Sequence, residues 1–562
     1  MGSGRMARER CTISFWFLIV CLLLVVLSIV SSSLGPVSSF HICFSSPRLK
    51  AYCLGSGFDP LQARAHDLHG KALYASHLEE ETHTAKERLK APGTVVMQEN
   101  HIYYKLSDAE SNSTSMPSDP KGSLQLQESA TPRNQSAEEV DYAEREVKKQ
   151  IQKLRYVAQS NTCQGNCTNV ACEGKGIFVY DLPAKFNKEM LEKCGDIFPW
   201  MNFCSYLTNQ GMGRAVHELG PNWYSTNQFS LESIFHSRIK NHRCRVFKEE
   251  EASLFYVPFY GGLNVLKMNF NGATVSAKDQ LGLELVEWIK TKSSWVRKQG
   301  RDHFLALGTI SYDLRRSNGE WGSNFLELDQ MQNPIKLMIE RQPWQMNDVG
   351  IPYPTNFHPN SDEDITNLQS KLSSSNRTTF ISFAAGGRPK MKTNVRSILI
   401  QECVKNSSLC TYLDCKAGDC VNPATVIKLF MDSEFCLQPP GDSPTRKSFF
   451  DSLVYGCIPV VFDPFTAFYQ YPWHLPEEGR RYSVYIDQQQ VKQGKVNVLD
   501  VLSKVPVEER REMRRYIIFE LMPRIIYAGS DSKLLKFQDA FDIAINNLLH
   551  MVTRDEIHRI ST

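Results

Sequence analysis

The chain has 562 residues, 42% of them hydrophobic and 22% charged, with a formal net charge of +3. That length exceeds what one hydrophobic core serves, so two or more domains are expected. The near balance of charge, with no long basic run and no repeated aromatic and basic platform, excludes a nucleic-acid binder.

At the N-terminus, Ile13 to Val30 reads ISFWFLIVCLLLVVLSIV, apolar apart from two serines and uncharged. As a helix it spans roughly 27 Å at 1.5 Å per residue, close to the hydrocarbon thickness. Arg5, Arg8 and Arg10 precede it, and the next Lys or Arg is Arg48. The positive-inside rule then keeps residues 1–12 cytoplasmic and sends everything after the span to a lumen or the exterior. A cleaved signal peptide carries a shorter apolar stretch, about 7 to 15 residues, so the length favours an uncleaved anchor over residues 13–33.

Twelve of the sixteen cysteines lie from Cys163 onward, clustered at 163, 167 and 172 and again at 403, 410, 415 and 420. No histidine stands beside them at zinc-ligand spacing, and in an oxidising compartment disulfides are the better reading, with the pairing left open. Cys436 and Cys457, in apolar strand-like contexts, read as buried thiols. Sequons at Asn112, Asn134, Asn166, Asn376 and Asn406 are compatible with a lumenal face.

Residues 34–160 read as a stem. Its first hundred residues are rich in Ser, Pro and charge and cannot bury enough apolar surface to order themselves. Residues 137–158 have helical spacing, with Val140, Val147 and Leu154 one heptad apart and Ile151 beside them. Three heptads are too few for a coiled coil, so this is expected to be a helix that docks on the body of the protein.

From Gly176 the pattern becomes α/β. GIFVYDLP, ASLFYVPFYGG (252–262) and DHFLALGTISYDLRR (302–316) are short apolar runs that end in loop residues, as buried parallel strands do. A helical stretch, GLELVEWIKTKSSWVRK, separates the last two. We place a first α/β domain at 161–375, closing in a proline-rich connection, and a second at 376–562, opening with TFISFAAGGRP. Ligands of such open sheets sit outside the carboxyl ends of the strands.

One segment of the second domain concentrates chemistry: PPGDSPTRKSFFDSLVYGCIPVVF, residues 439–462. Gly441 suits a tight turn, and Ser443 followed by Pro444 fits N-cap and N1 of a helix starting at about 444. Arg446 and Lys447 then fall in the first turn, where the helix dipole disfavours cations unless an anion offsets them. A diphosphate would accept the free N–H groups and pair with the guanidinium; a capped helix with two solvated cations is the bland alternative. Arg388, beside Gly386 and Gly387, and Arg396 add positive charge at another strand end. Asp451, five residues before Gly456, resembles the carboxylate with which many GT-B nucleotide-sugar transferases hold ribose hydroxyls. The second carboxylate of retaining relatives, eight residues earlier, is here Ser443.

With its preceding SEFCLQ, this segment resembles the C-terminal signature of the exostosin family of glycosyltransferases, nearest the plant xyloglucan galactosyltransferase branch. IFVYDLPAKFN, STNQFSLESIFHSRIKNHRC, ASLFYVPFYGGL, GRDHFLALGTISYDLRR, GIPYPTNFHP and SFAAGGRP extend the resemblance over about 176–550, with AAGGRP in place of the commoner Gly-Ala-x-Arg-Pro. The resemblance implies a GT-B fold of two Rossmann-like domains and a type II Golgi membrane enzyme. It further implies inverting transfer of galactose from UDP-galactose to xylosyl side chains of xyloglucan, in cell-wall hemicellulose synthesis. A galacturonosyl or arabinosyl transferase, or a membrane-anchored glycan-binding protein without turnover, are the alternatives. Other cell-wall glycosyltransferases are candidate partners.

Inverting transfer needs groups that neutralise the departing diphosphate and a base that takes the acceptor proton. Gly387, Arg388, Ser443, Arg446, Lys447 and Asp451 form the candidate donor set, with no metal: Asp362, Glu363 and Asp364, the one DxD-type string, read as a polar turn. Asp313 and Glu340, each at the end of an expected strand of the first domain, are joint candidates for the base. Asp181 ranks behind them, His236 and His303 read as structural, and His358 borders the cleft. For the acceptor, sugar faces stack on rings, and Trp223, Tyr224, Tyr260 and Trp344 are the candidates against a background in which most rings are core.

Overall fold

The computed structural model describes residues 42–46, 49–54, 135–160, 172, 174–316, 319–387 and 394–560. The expected anchor, the sequons at Asn112, Asn134 and Asn166, and Arg388 lie outside the described residues. Among the described residues no helix is long and apolar enough to cross a membrane.

One compact unit contains an antiparallel hairpin, β1 (Ile42–Ser46) with β2 (Leu49–Leu54), inside the stretch read as stem. A second unit contains everything from helix α1 (Gln135–Ser160) onward. The docking expected of α1 is observed: Val147, Ile151 and Leu154 are buried.

The first sheet of this unit has the order β4-β3-β5-β6-β7-β8 and is parallel throughout. Its strands are β3 (Gly176–Val179), β4 (Arg245–Val246), β5 (Ala252–Tyr256), β6 (His303–Ile310), β7 (Ile335–Glu340) and β8 (Asp348–Gly350). Helices α2 (Leu231–Lys240), α3 (Gly261–Phe270) and α4 (Val275–Ile289) cross between them. β6 and β7 are buried almost throughout, without alternation, because helices and loops cover both faces, as parallel sheets require.

The second sheet has the order β10-β9-β11-β12-β13, again all parallel. It comprises β9 (Thr379–Ala385), β10 (Cys410–Asp414), β11 (Ser433–Gln438), β12 (Ile458–Val461) and β13 (Val484–Tyr485). Helix α5 (Asp362–Ser374) leads into it behind a capping box made by Ser361 and Asp364. Then come α6 (Val395–Lys405), α7 (Pro423–Asp432), α8 (Lys447–Val454), α9 (Val507–Tyr516) and α10 (Ala540–Ile560). The last strand of the first sheet ends at Gly350 and the first strand of the second begins at Thr379, and α10 crosses back to the first sheet. Phe541 packs 4.7 Å from Phe235 on α2, and Arg238 of α2 pairs with Asp539 at 2.8 Å.

Five disulfides are present among the described residues: 172–244, 194–204, 403–410, 415–420 and 436–457. The last corrects the expectation of two buried thiols. β11 and β12 are neighbours, which brings the Cα atoms of Cys436 and Cys457 to 5.9 Å, within disulfide reach.

Candidate active site

β7 delivers Glu340 to its carboxyl end, and the loop leaving β11 delivers Thr445 from the other sheet. The two meet. The Thr445 backbone N–H donates to Glu340 Oε2 at 3.0 Å, and the Thr445 hydroxyl donates to the same oxygen. Thr445 Oγ1 also lies 2.9 Å from the Tyr353 hydroxyl. The carboxyl ends of both sheets therefore converge on one carboxylate, which is 7% exposed. Burial pushes the Glu340 pKa up and the negative charge of Asp313 adds to the rise, while bonds from Ser443 and Thr445 oppose it.

Asp313 follows β6 in a short 3-10 turn and is also buried. Its oxygens accept from Thr309 Oγ1 at 2.5 Å and Trp321 Nε1 at 2.8 Å, and burial raises its pKa. Both predicted bases thus belong to one neighbourhood, but only Glu340 touches the loop of the second sheet.

That loop differs from the expected geometry. Helix α8 starts at Lys447 with Arg446 as N-cap, so Ser443 and Pro444 are loop residues and not cap and N1. The physical reason is tertiary: Thr445 is drawn onto Glu340, and Arg446 stays extended at φ −152°. Gly441 does not use a left-handed conformation; Gly456, at φ 71° just past the end of α8, does.

The Arg446 guanidinium donates to the Pro439 carbonyl at 2.9 Å, and Arg396 donates to the Pro440 carbonyl at 3.2 Å. Lys447, assigned to diphosphate, instead bonds Asp451 at 2.8 Å and Asn356 Oδ1 at 2.8 Å. Asp451, assigned to ribose, is buried at the other end of that ion pair. The two residues are thus committed to each other. Gly387 ends the described part of the loop after β9, and among the described residues a Cβ there would meet nothing nearer than Ile400 at 4.0 Å.

Of the four predicted acceptor rings, two are core. Trp223 is buried against Phe357 and Tyr455, and buried Tyr260 lies with its hydroxyl 3.1 Å from His236 Nδ1. Tyr224 is half-buried beside His358, and Trp344 is 40% exposed. Trp344 lies by the stem helix, whose Gln150 donates to its carbonyl at 3.2 Å.

The histidines have structural partners: His303 sits between Asp302 and Tyr180, and His358 between Thr226 and the Tyr527 carbonyl. Asp181 is exposed beside Lys188. The Asp362 carboxylate accepts the backbone N–H groups of Leu535, Lys536 and Phe537, and Asp364 closes the capping box of α5. Both carboxylates of the DxD string are therefore spent on backbone donors. Asn376 is exposed, whereas the Asn406 amide donates to the Glu402 carbonyl.

Four residues of the site were not singled out in the sequence: Thr445, Tyr353, Asn356 and Gln438. Gln438 alone carries a local signal, a polar side chain closing the apolar run FCLQ, and it is 1% exposed.

Residues 171–502 match the family described as Exostosin GT47 domain. A protein of Arabidopsis thaliana named "Probable xyloglucan galactosyltransferase GT20" is 51% identical over 387 residues, covering 69% of each chain. "Xyloglucan-specific galacturonosyltransferase 1" of the same plant is 51% identical over 385 residues, 68% of this chain and 58% of that one. "Xyloglucan galactosyltransferase XLT2", also from Arabidopsis thaliana, is 39% identical over 395 residues, 68% of this chain and 76% of its own. Together with the parallel sheets whose carboxyl ends meet at Glu340, the extent of this match means that the chain belongs to the exostosin GT47 family of glycosyltransferases.

Proposed function

We propose that this enzyme transfers galactose from UDP-galactose to xylosyl side chains of xyloglucan, with inversion, in the cleft of a GT-B fold. The observation that carries the reading is the contact between Glu340 of the first sheet and Thr445 in the loop of the second. A two-substrate transferase needs a donor loop and a base on opposite walls of one cleft, and this contact supports such an arrangement. Two relatives named xyloglucan galactosyltransferases support the donor and acceptor. In this reading the first-turn amides of α8 and Arg446 receive the diphosphate, and Glu340 takes the proton from the acceptor hydroxyl. Asp313 tunes Glu340 through its charge.

The charge that develops on the leaving group is met by cation and helix dipole, so we propose transfer without a metal. We also propose a type II Golgi anchor at residues 13–33. The relative named as a galacturonosyltransferase favours a second reading in which the donor is UDP-galacturonate.

The test is transfer onto xyloglucan by the full-length protein, offered UDP-galactose, UDP-galacturonate or UDP-arabinose, with and without EDTA. Galactose incorporation unaffected by EDTA is expected. Preference for galacturonate overturns the donor, and loss of activity with EDTA overturns the metal-free mechanism. Sugar binding with no transfer overturns the enzymatic reading.

A further inference from the structure

The second sheet has a topological switch point at β9 and β11. These strands are neighbours: the chain runs from β9 outward to β10 on one side, then crosses back over β9 to β11 on the other. Crevices of this kind bind ligands at the carboxyl ends of the strands. Gly386 and Gly387 leave room above β9: among the described residues, a Cβ on either would meet nothing closer than 3.7 Å.

Gln438 ends β11 at that crevice and is 1% exposed. Its Oε1 accepts from the hydroxyl of Ser448, in the first turn of α8, at 2.6 Å. Its Nε2 is buried and has no hydrogen-bond partner among the described residues. A buried amide N–H₂ left unpaired costs free energy, so its retention calls for an acceptor that arrives from outside. The next two carbonyls of the chain, Pro439 and Pro440, are held by Arg446 and Arg396, which makes the surroundings of the amide cationic. Ser448 can serve either orientation of the amide, as donor to Oε1 or acceptor from Nε2. A ligand group made only of acceptors selects the first.

Resting on the donor site described above, we propose that Gln438 is a donor-binding residue whose Nε2 hydrogens bind a phosphate oxygen of the nucleoside diphosphate at the tip of α8. Ser448 is its positioning residue, fixing the amide with nitrogen outward. The bound donor thus supplies the acceptor that this nitrogen lacks among the described residues.

Calorimetric titration of the full-length protein with UDP and with uridine tests this. Gln438→Glu keeps the shape but offers a carboxylate to the phosphate, and is expected to weaken UDP at least about tenfold while leaving uridine within about twofold. Gln438→Met keeps the volume without the charge and is expected to weaken UDP by about threefold or more, so the test stands even where a buried carboxylate impairs folding. UDP affinity of Gln438→Met within the scatter of wild type overturns the assignment. A parallel loss of uridine also overturns it, by moving the contact to the nucleoside. Failure of the wild-type protein to bind UDP overturns instead the donor site on which the assignment rests.

Discussion

Glu340 is held by opposing influences. Burial and the Asp313 charge push its pKa up, while the donors Thr445 and Ser443 pull it down. A general base works best when its pKa lies near the working pH, and raising a carboxylate by burial is the usual route. The base is active only when deprotonated, so turnover should rise with pH through the Glu340 pKa. That acidic limb should lie above the ordinary carboxylate value of about 4.3. Asp313→Asn removes a negative charge, lowers the Glu340 pKa, and should move the limb to lower pH. Glu340→Gln should cut kcat by about 100-fold or more with UDP affinity retained. A kcat profile against pH on the three proteins decides this. A limb that stays put or moves upward in Asp313→Asn removes Glu340 from the role.

At the level of elements, the strands and helices were legible because burial on both faces writes apolar runs, and helical spacing is local. HFLALGTI, IKLMIE and SEFCLQ all form strands, and the docking helix falls within two residues of its expected ends at each side. What depended on the opposite lobe was not legible. Helix α8 starts three residues late because Thr445 answers Glu340, more than a hundred residues away. Lys447 and Asp451 have the i, i+4 spacing of a helical ion pair, a signal present in the sequence itself. Rings give no such hint, since Trp223 is core only through Phe357 and Tyr455 on other segments. Helix α1, expected within the stem as a docking helix, packs on the body of the protein. It buries Val147, Ile151 and Leu154, and Arg155 donates to the Leu475 carbonyl at 2.9 Å. A chain begun at residue 161 should therefore lose about 3 to 5 kcal/mol relative to one begun at 135, allowing for the helix entropy regained. Urea unfolding of the two truncations checks it. Equal midpoints and slopes would mean that α1 rides on the surface without contributing.

Across the whole molecule, the end of β7 acts as a rivet between the lobes. Three consecutive residues each bond the second lobe: the Ile339 carbonyl accepts from the Tyr471 hydroxyl at 2.7 Å, Glu340 accepts from Thr445, and Arg341 reaches the 469–470 segment. Arg341 is 2% exposed; its Nε and Nη2 both donate to the Tyr469 carbonyl, at 3.1 and 2.8 Å. Its backbone N–H donates to Gln470 Oε1 at 2.9 Å, and the Gln470 amide returns a bond to the Arg341 carbonyl at 3.2 Å. Burial lowers the guanidinium pKa to about 10, so it still carries its charge at neutral pH. A fixed junction beside Glu340 holds this proposed base in register with the Thr445 loop, which a transfer reaction would need because a small misplacement of reacting groups costs rate steeply. Arg341→Ala removes both guanidinium bonds to the part-buried Tyr469 carbonyl and should lower unfolding free energy by about 3 kcal/mol. Arg341→Lys keeps the charge but not the planar fork, and should recover less than half of that loss. Denaturant unfolding of the three proteins, followed by far-ultraviolet circular dichroism, measures both differences. If Arg341→Lys proves as stable as wild type, charge alone holds the junction and the bidentate geometry is incidental.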